Sequence, residues 1–327
     1  MDATKFDQFN ALVLQLYRIA GEVPLEHYQN AVLDAIRPVL PFESAMWGTA
    51  TYIPRQGIDI HRIHLYKQSE QMIQEYAEFK HLDTVAALAV GQPQVTAGVD
   101  CAGYFQEKVS RPYREFQKRF DIENVFLTAQ TLQGSGATQW LSLFRANADQ
   151  RCRDEETRLL TQLAPHIMQG LHHSLARQLD RTLVQNNPSG QEAVITDPRG
   201  VIHYATAGCE TLLRQEWSPC FHPSRLPEPL LQWAATETMP YVGRHLVAHC
   251  DVRKDLLFLH LRPCRPSDRL PPRQREVALL LIQGLTYKEI ALRLSRAPAT
   301  VRTQIRQIYD RLEVSNVAQL AQALQSA

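Results

Sequence analysis

"PATVRTQIRQIYDRL", residues 298–312, sets a proline directly before an amphipathic, arginine-rich run. Val301, Ile305, Ile308 and Leu312 recur at spacings of three and four, the period of one face of an α-helix. Pro298 suits the first turn of that helix, where its missing N–H costs no intrahelical bond. The other side carries Arg302, Thr303 and Arg306. The spacing predicts a helix with an apolar inward face and a cationic outward one.

The flanking residues extend the pattern. Thr286 stands three residues before Glu289, the capping-box spacing, and opens a helix over "YKEIALRL". A short break at Ser295–Ala297 separates it from Pro298. Upstream, "PRQREVALLLIQG" reads as a helix stopped by Gly284. Downstream, Ser315 is expected to cap "NVAQLAQALQ", with Val317, Leu320, Ala321 and Leu324 on one face. Two short helices joined tightly, the second one basic, fit a helix-turn-helix, whose second helix lies in the major groove while the first crosses the phosphate backbone. A plain helical bundle or a dimerisation tail is the competing reading of the same periodicity.

Residue identities decide between them. Residues 270–324 resemble the LuxR/GerE-type helix-turn-helix domain along their whole length. Its markers occur in order: Arg273, Glu276 and Val277, then Gly284, then Lys288-Glu289-Ile290-Ala291, then Leu294, Thr300-Val301 followed by a basic residue, Ile308, Leu312 and Val314. The chain departs from the pattern at Tyr287, where Asn is usual, at Ala297, where the recognition helix usually has a Ser cap, at Arg296, an apolar position, and at Gln304 and Gln307. The resemblance implies that Arg302, Thr303 and Arg306 read bases. Arg matches the N7 and O6 acceptors of guanine, and the Thr methyl can meet that of thymine. Lys288, Thr300, Gln307 and Arg311 are the matching candidates for phosphate, which positions the protein without specifying sequence.

Charge agrees with this division. From Leu270 onward eight basic residues face four acidic ones, a net of +4, which leaves −3 for the rest of a chain whose total is +1. A basic end on a mildly acidic body is the asymmetry of a regulator with a DNA-binding tail. At 327 residues, 44% hydrophobic and 21% charged, the chain has room for two or three domains of ordinary globular composition. No apolar run approaches the roughly 18 residues needed to cross a membrane. The six cysteines are scattered without a CxxC pair, which predicts free thiols and a cytoplasmic setting. The N-terminus reads as an amphipathic helix with Phe6, Phe9, Val13, Leu16 and Ile19 on one side, not as a signal peptide.

Three segments follow from composition, and the predicted fold class is one or more α+β sensor-like domains before an all-α four-helix end. Residues 1–183 alternate strand-like runs ("SAMWGTATYI", "IDIHRIHLYK", "NVFLTAQTLQ", "TQWLSLFRAN") with helices. A long helix is expected from Asp154 to about Leu179, its face marked by Leu160, Leu163, Ile167, Leu171 and Leu175. This order resembles a GAF-type ligand-binding domain. "VQNNPSGQ", 184–191, reads as a linker. Residues 190–262 open with a strand, a turn at Asp197-Pro198-Arg199-Gly200, a second strand and a helix, which resembles a PAS-like module, with Thr206 where many such domains have Asn. "RPCRPSDRLPPRQ" reads as a second linker, and residues 263–327 form the DNA-binding end.

Aromatic residues collect in the first segment: Trp47, Tyr52, Tyr66, Tyr76, Tyr104, Phe105, Phe126 and Trp140. Such side chains line small-molecule pockets but more commonly fill cores. Trp47, Tyr52, Tyr66, Tyr104, Phe126 and Trp140 are taken as candidate contacts for a small-molecule effector. His166 and His172-His173 fall on different helix faces without acidic or Cys companions, so no metal or other cofactor is expected. Phosphate-binding loops, a receiver-type acidic set and Gly-x-Ser-x-Gly are absent from the sequence. The reading is a sequence-specific DNA-binding transcriptional regulator, not an enzyme. Its expected partners are double-stranded DNA, a second copy of the chain, a small-molecule effector and RNA polymerase. The competing readings are a protein-interaction module reusing the fold, and an enzyme with an accessory helical tail.

Overall fold

Two antiparallel sheets of the same strand order, joined through one long helix, precede a four-helix end. The computed structural model describes residues 3–53, 57–131, 137–186, 191–218, 221–236, 239–253 and 255–325. The first segment runs α1 (Ala3–Glu22), α2 (Leu25–Ile36), β1 (Ser44–Ile53), β2 (Gly57–Tyr66), α3 (Glu70–Phe79), α4 (Thr84–Gly91), β3 (Ala97–Asp100), α5 (Cys101–Tyr104), α6 (Arg111–Arg119), β4 (Asn124–Thr131), β5 (Thr138–Arg145) and α7 (Asp154–Asn186). Its sheet has the order β2-β1-β5-β4-β3.

Strand alternation sorts this sheet's side chains into two cores. Ala45 and Trp47 of β1, Phe126 of β4, and Leu141 and Leu143 of β5 face α1, α2 and α7. Val125, Leu127, Ala129 and Phe144, one residue out of phase, face α3 and α6. Gly48 is required where β1 meets its neighbours, because a Cβ there would lie 2.4 Å from the Arg62 carbonyl oxygen and 2.9 Å from the Trp140 ring. The outer helical layer forms because Leu160, Leu163, Ile167, Leu171, Leu175 and Leu179 of α7 are all buried against Leu16, Val32 and Ile36. Three acidic residues, Asp154 to Glu156, begin α7 where the helix dipole favours negative charge. Arg145, buried at the end of β5, holds that start. It pairs with both Glu156 oxygens at 3.1 and 2.8 Å and donates to the Pro41 carbonyl at 2.8 Å.

The second segment runs β6 (Glu192–Thr196), β7 (Ile202–Ala205), α8 (Cys209–Trp217), α9 (Glu228–Thr236), β8 (Tyr241–Val242), β9 (Leu246–Arg253) and β10 (Leu256–Pro263). Its sheet order, β7-β6-β10-β9-β8, is again second, first, fifth, fourth, third in chain order. The expected Asp-x-x-Gly turn between β6 and β7 is present. Asp197 Oδ1 accepts from the Arg199 and Val201 amides at 2.9 and 3.0 Å, and Gly200 takes the positive φ of 79° that the turn demands. Thr206, in place of the usual Asn, accepts from the Ala193 amide at 2.9 Å and donates to Glu192. One face of this sheet packs under α8 and α9. The other, through Ala193, Ile195, Leu256 and Phe258, joins the core that contains α7.

Both predicted linkers come out differently. α7 extends to Asn186, into the stretch read as a connector, and residues 187–190 of that stretch lie outside the described residues. The "GSGA" turn between β4 and β5 also falls largely outside them. The Pro/Arg-rich stretch after β10 is structured: a 3₁₀ turn, Pro266–Arg269, is clasped by Asp268, which takes two 2.6 Å bonds from Arg262 and one from the Arg265 amide. Burial alone would raise the Asp268 pKa, but these bonds outweigh it and hold the carboxyl below its usual value.

The last segment is α10 (Pro272–Ile282), α11 (Tyr287–Arg293), α12 (Pro298–Leu312) and α13 (Val317–Gln325) around Val277, Leu281, Ile290, Val301, Ile308, Leu312 and Leu320. Gly284 ends α10 at φ 89°. The cap of α13 is Asn316, whose Oδ1 accepts from the Gln319 amide at 2.8 Å. Ser315, expected in that role, donates to the Gln319 side chain at 2.9 Å instead. Ala297, the N-cap of α12, is extended (φ −72°, ψ 139°) and has no side-chain acceptor for the first-turn amides.

Two stability outcomes follow. Ala297→Ser supplies the missing acceptor in a compatible backbone and should stabilise the C-terminal helices by about 1 kcal/mol, read by denaturant unfolding; no gain would mean those amides are already satisfied by solvent. Burial, reinforced at some sites by nearby cations, lowers the pKa of His61, His64, His172, His249 and His260 below 6.5. The unfolded chain therefore binds protons that the folded chain refuses, so this stability is complete above the ordinary imidazole pKa and falls as pH drops through it. The melting temperature should decline on acidification from about pH 7.5 to about 5.5, and His61→Gln should flatten part of the slope. A pH-independent melt would refute the assignment.

Candidate nucleic-acid interface and sensor cavity

α11 is built first. The Thr286 hydroxyl accepts from the Glu289 amide at 3.4 Å, and Glu289 accepts from the Thr286 amide at 2.7 Å. The helix closes when the Arg296 amide reaches back to the Ala291 carbonyl at 2.8 Å, with Ser295 between them in the left-handed region at φ 51°. That turn swings the chain into α12 across a shared core, where Ile290 and Ala291 pack with Val301 and Ile308.

On α12 the inward face holds Val301, Ile308 and Leu312, all buried. Ile305, predicted to join them, is only half-buried, because it floors a shallow depression bordered by Tyr287, Arg302, Arg306, Tyr309, Asp310 and Val314. Arg302, Thr303 and Arg306 are exposed on one side. Thr303 spends its hydroxyl proton on the Ala299 carbonyl at 3.1 Å. Arg302 lies over the Tyr287 ring, 5.5 Å from its centroid.

Among the phosphate candidates, Lys288 on the first turn of α11 and Thr300 on the first turn of α12 are exposed. Gln307 and Arg311 are exposed too but have a structural tie: the buried Gln274 of α10 donates to Gln307 Oε1 at 3.0 Å and accepts from Arg311 at 2.9 Å. Nothing in the one-dimensional pattern signals that link, since Gln274 reads as an ordinary polar residue near a helix start. With its first-turn amides uncapped and its acidic residues, Asp310 and Glu313, confined to the far end, α12 is most electropositive toward its N-terminal half.

The first sheet carries a separate feature. Between its inner face and α3 and α4 lies a cavity of about 60 Å³ lined by Met46, Ile60, Ile73, Leu127, Trp140 and their neighbours. A second space of about 50 Å³ shares Tyr76 and Asp83 with it and reaches Tyr113 and Phe116 on α6. The walls are apolar apart from a small polar set. Tyr76 donates to Asp83 at 2.9 Å, and Asp83 also caps α4 by accepting from the Ala86 amide at 3.1 Å. Burial is the main cause that raises the Asp83 pKa, opposed by these bonds, and burial likewise raises those of Tyr76 and Tyr113. The indole N–H of Trp140, fully covered, has no hydrogen-bond partner among the described residues.

Of the six aromatic residues picked from sequence, Trp140 lines this cavity. Trp47, Tyr66 and Phe126 sit in the core on the side of α1, α2 and α7. Trp47 does border a smaller space of about 20 Å³ beside α7. Tyr66 instead donates to Asp34. Tyr104 is exposed on α5, and the side chain of Tyr52 lies outside the described residues. Face parity separates Trp47 from Met46 and Phe126 from Leu127, and it becomes readable only once strand register is known. His166 and His172 pack against Tyr17 and Tyr204 respectively.

Residues 268–312 match the family model described as Sigma-70, region 4, a helix-turn-helix domain. No curated protein matches the chain. Among solved structures, Escherichia coli SdiA aligns over 97% of this chain and 95% of its own at 14% identity and TM-score 0.39. CepR2 from Burkholderia cenocepacia, described as an N-acylhomoserine lactone dependent LuxR family transcription factor, covers 53% of this chain and 98% of its own at 14% identity and TM-score 0.42. The phycoerythrobilin-bound GAF domain of a cyanobacterial phytochrome covers 52% and 97%, at 12% identity and TM-score 0.35. Likenesses this distant establish no ligand or partner for this chain. No helix among the described residues is long and apolar enough to cross a membrane. The ordered marker residues, the capped α11, the tight turn at Ser295 and the exposed basic face of α12 make the C-terminal end a helix-turn-helix domain.

Proposed function

We propose that the chain is a sequence-specific transcriptional regulator whose α12 enters the major groove of double-stranded DNA. The observation that carries this reading is the two-sided character of α12: one face buried in its own domain, the other presenting Arg302, Thr303 and Arg306, with no acidic residue before Asp310. Arg302 and Arg306 read guanine edges and Thr303 meets a methyl group. Lys288, Thr300, Gln307 and Arg311 set the docking register on phosphates. The chain acts as a homodimer on paired half-sites, since linking two weak readers multiplies affinity. Three domains, 1–183, 190–262 and 263–327, divide sensing, relay and DNA binding, and their cores support that division at the last boundary. The first two share residues of one core.

The sensor takes a small, largely apolar molecule with a few polar groups. The unpartnered Trp140 N–H and the Tyr76–Asp83 pair, set in otherwise apolar walls, are the polar contacts such a ligand needs.

The double charge reversal Arg302→Glu/Arg306→Glu should abolish the mobility shift of a genomically enriched DNA site, while wild-type binding weakens steeply with added salt as counterions are released. Unchanged binding by the double variant would remove α12 as the reader and favour a protein-interaction role. For the cavity, medium-chain apolar ligands bearing a carbonyl should raise the melting temperature of the purified chain. Trp140→Phe should weaken that response about tenfold by removing the donor. A shift that is unaltered in Trp140→Phe would place the ligand elsewhere.

A further inference from the structure

Arg302 and Arg306 both project from α12, but their surroundings differ. The Arg302 guanidinium lies 5.5 Å from the centroid of the Tyr287 ring, and Arg306 has no aromatic partner of this kind among the described residues. Neither guanidinium has a hydrogen bond or ion pair to another described residue, so the N–H edges of both are free to meet DNA. Tyr287 is itself held firmly. It is the first residue of α11, inside the Thr286–Glu289 capping box, and it packs against the edge of the C-terminal core.

We propose that Tyr287 is the positioning residue that makes Arg302 a guanine reader; this rests on α12 being the DNA-reading helix. Two hydrogen bonds to guanine O6 and N7 require the guanidinium plane to be fixed, and a free arginine must give up much rotamer freedom to achieve this. The ring removes that cost in advance. Its π-face attracts the cation and covers one side of the plane, while the N–H edge still points outward. The position is one where this chain departs from the pattern its markers otherwise follow, with a Tyr in place of Asn, so the departure that disturbs one side of the motif supplies a feature on the other. Arg306, lacking such a support, is the internal control.

The test is selection from randomised duplex DNA by the full chain, comparing wild type with Tyr287→Leu, Tyr287→Phe and Arg302→Ala. Leu keeps apolar bulk against the core without a π-face, and Phe keeps the ring. Wild type and Tyr287→Phe should enrich guanine at the same position, Arg302→Ala should lose that preference, and Tyr287→Leu should weaken it about five-fold. The position governed by Arg306 and the salt dependence of total affinity should stay unchanged in Tyr287→Leu. Full guanine preference in Tyr287→Leu overturns the proposal. So does an equal loss at every position together with a lower melting temperature, which marks Tyr287 as merely structural. If wild type selects no sequence and its binding ignores salt, α12 is not a DNA reader, and this proposal falls with that assignment, a result distinct from either of the others.

Discussion

The burial of α7 on more than one side is the constraint around which the first two-thirds of the molecule is arranged. Its N-terminal half lies with α1 and α2 on the outer face of the first sheet, and its later leucines meet Ala193, Ile195, Leu256 and Phe258 of the second. A helix with an apolar stripe has to bury it, and this one is covered by two sheets whose own faces need covering. At roughly 25 cal/mol per Å² of apolar surface, such shared burial outweighs the helix propensity of any single residue. It also explains how Pro165 is tolerated inside α7, where proline removes a hydrogen bond at a cost of about 3 kcal/mol. The same sharing means that residues 1–183 and 190–262 are not independent bodies: removing the second sheet would expose leucines of α7.

Polar contacts then fix geometry that apolar packing leaves loose. Arg145 cannot sit buried without partners, and it has them in Glu156, three backbone carbonyls and the Phe126 ring at 4.9 Å. Deleting it would remove the clamp between β5 and the start of α7, leaving Glu156 with only the Arg153 amide. Between the two sheets, Arg199 reaches from the Asp197 turn to Asp59 at 2.6 Å and to the Ile60 carbonyl at 2.9 Å, and Arg62 pairs with Asp255 at 3.1 Å. These exposed pairs contribute little energy individually. Their effect is orientation, holding the β6–β7 turn to the edge strand β2.

What could be read from sequence divides along physical lines. Local signals were legible: the capping box at Thr286, Pro298 at the start of α12, the Asp197–Gly200 turn and the leucine stripe of α7 each depend on residues a few positions apart. The four long strands of the first sheet were legible too, whereas β3, four residues long, was not. What escaped depends on tertiary partners. Trp47 and Trp140 look alike as aromatic residues on strands, but pairing of Gly48 with Trp140 and of Trp47 with Leu141 sends them to opposite faces. Asp83 gave no sign of lining a cavity, because only the approach of α3 to α6 brings Tyr76 and Tyr113 to it. Ile305 satisfies helical periodicity and still stays half-open, because it packs only at the edge of the core and floors a depression open to solvent.

Sheet parity also constrains how any signal could travel. The residues lining the cavity belong to β1, β2, β4, β5, α3 and α4, and none comes from α7. A bound molecule therefore touches one face of the sheet while α7 packs on the other. Its influence has to pass through the strands themselves, whose alternate side chains belong to the two sides. Beyond α7 the contacts are continuous: β6 and β10, the Arg262–Asp268 clasp at the end of β10, then the 3₁₀ turn that packs against α12 and α13. Contiguity of this kind becomes coupling only if some element along it has two arrangements that ligand and DNA stabilise differently. The clasp is the narrowest link in that series, a bidentate ion pair with α7 and its sheets on one side and the helix-turn-helix on the other.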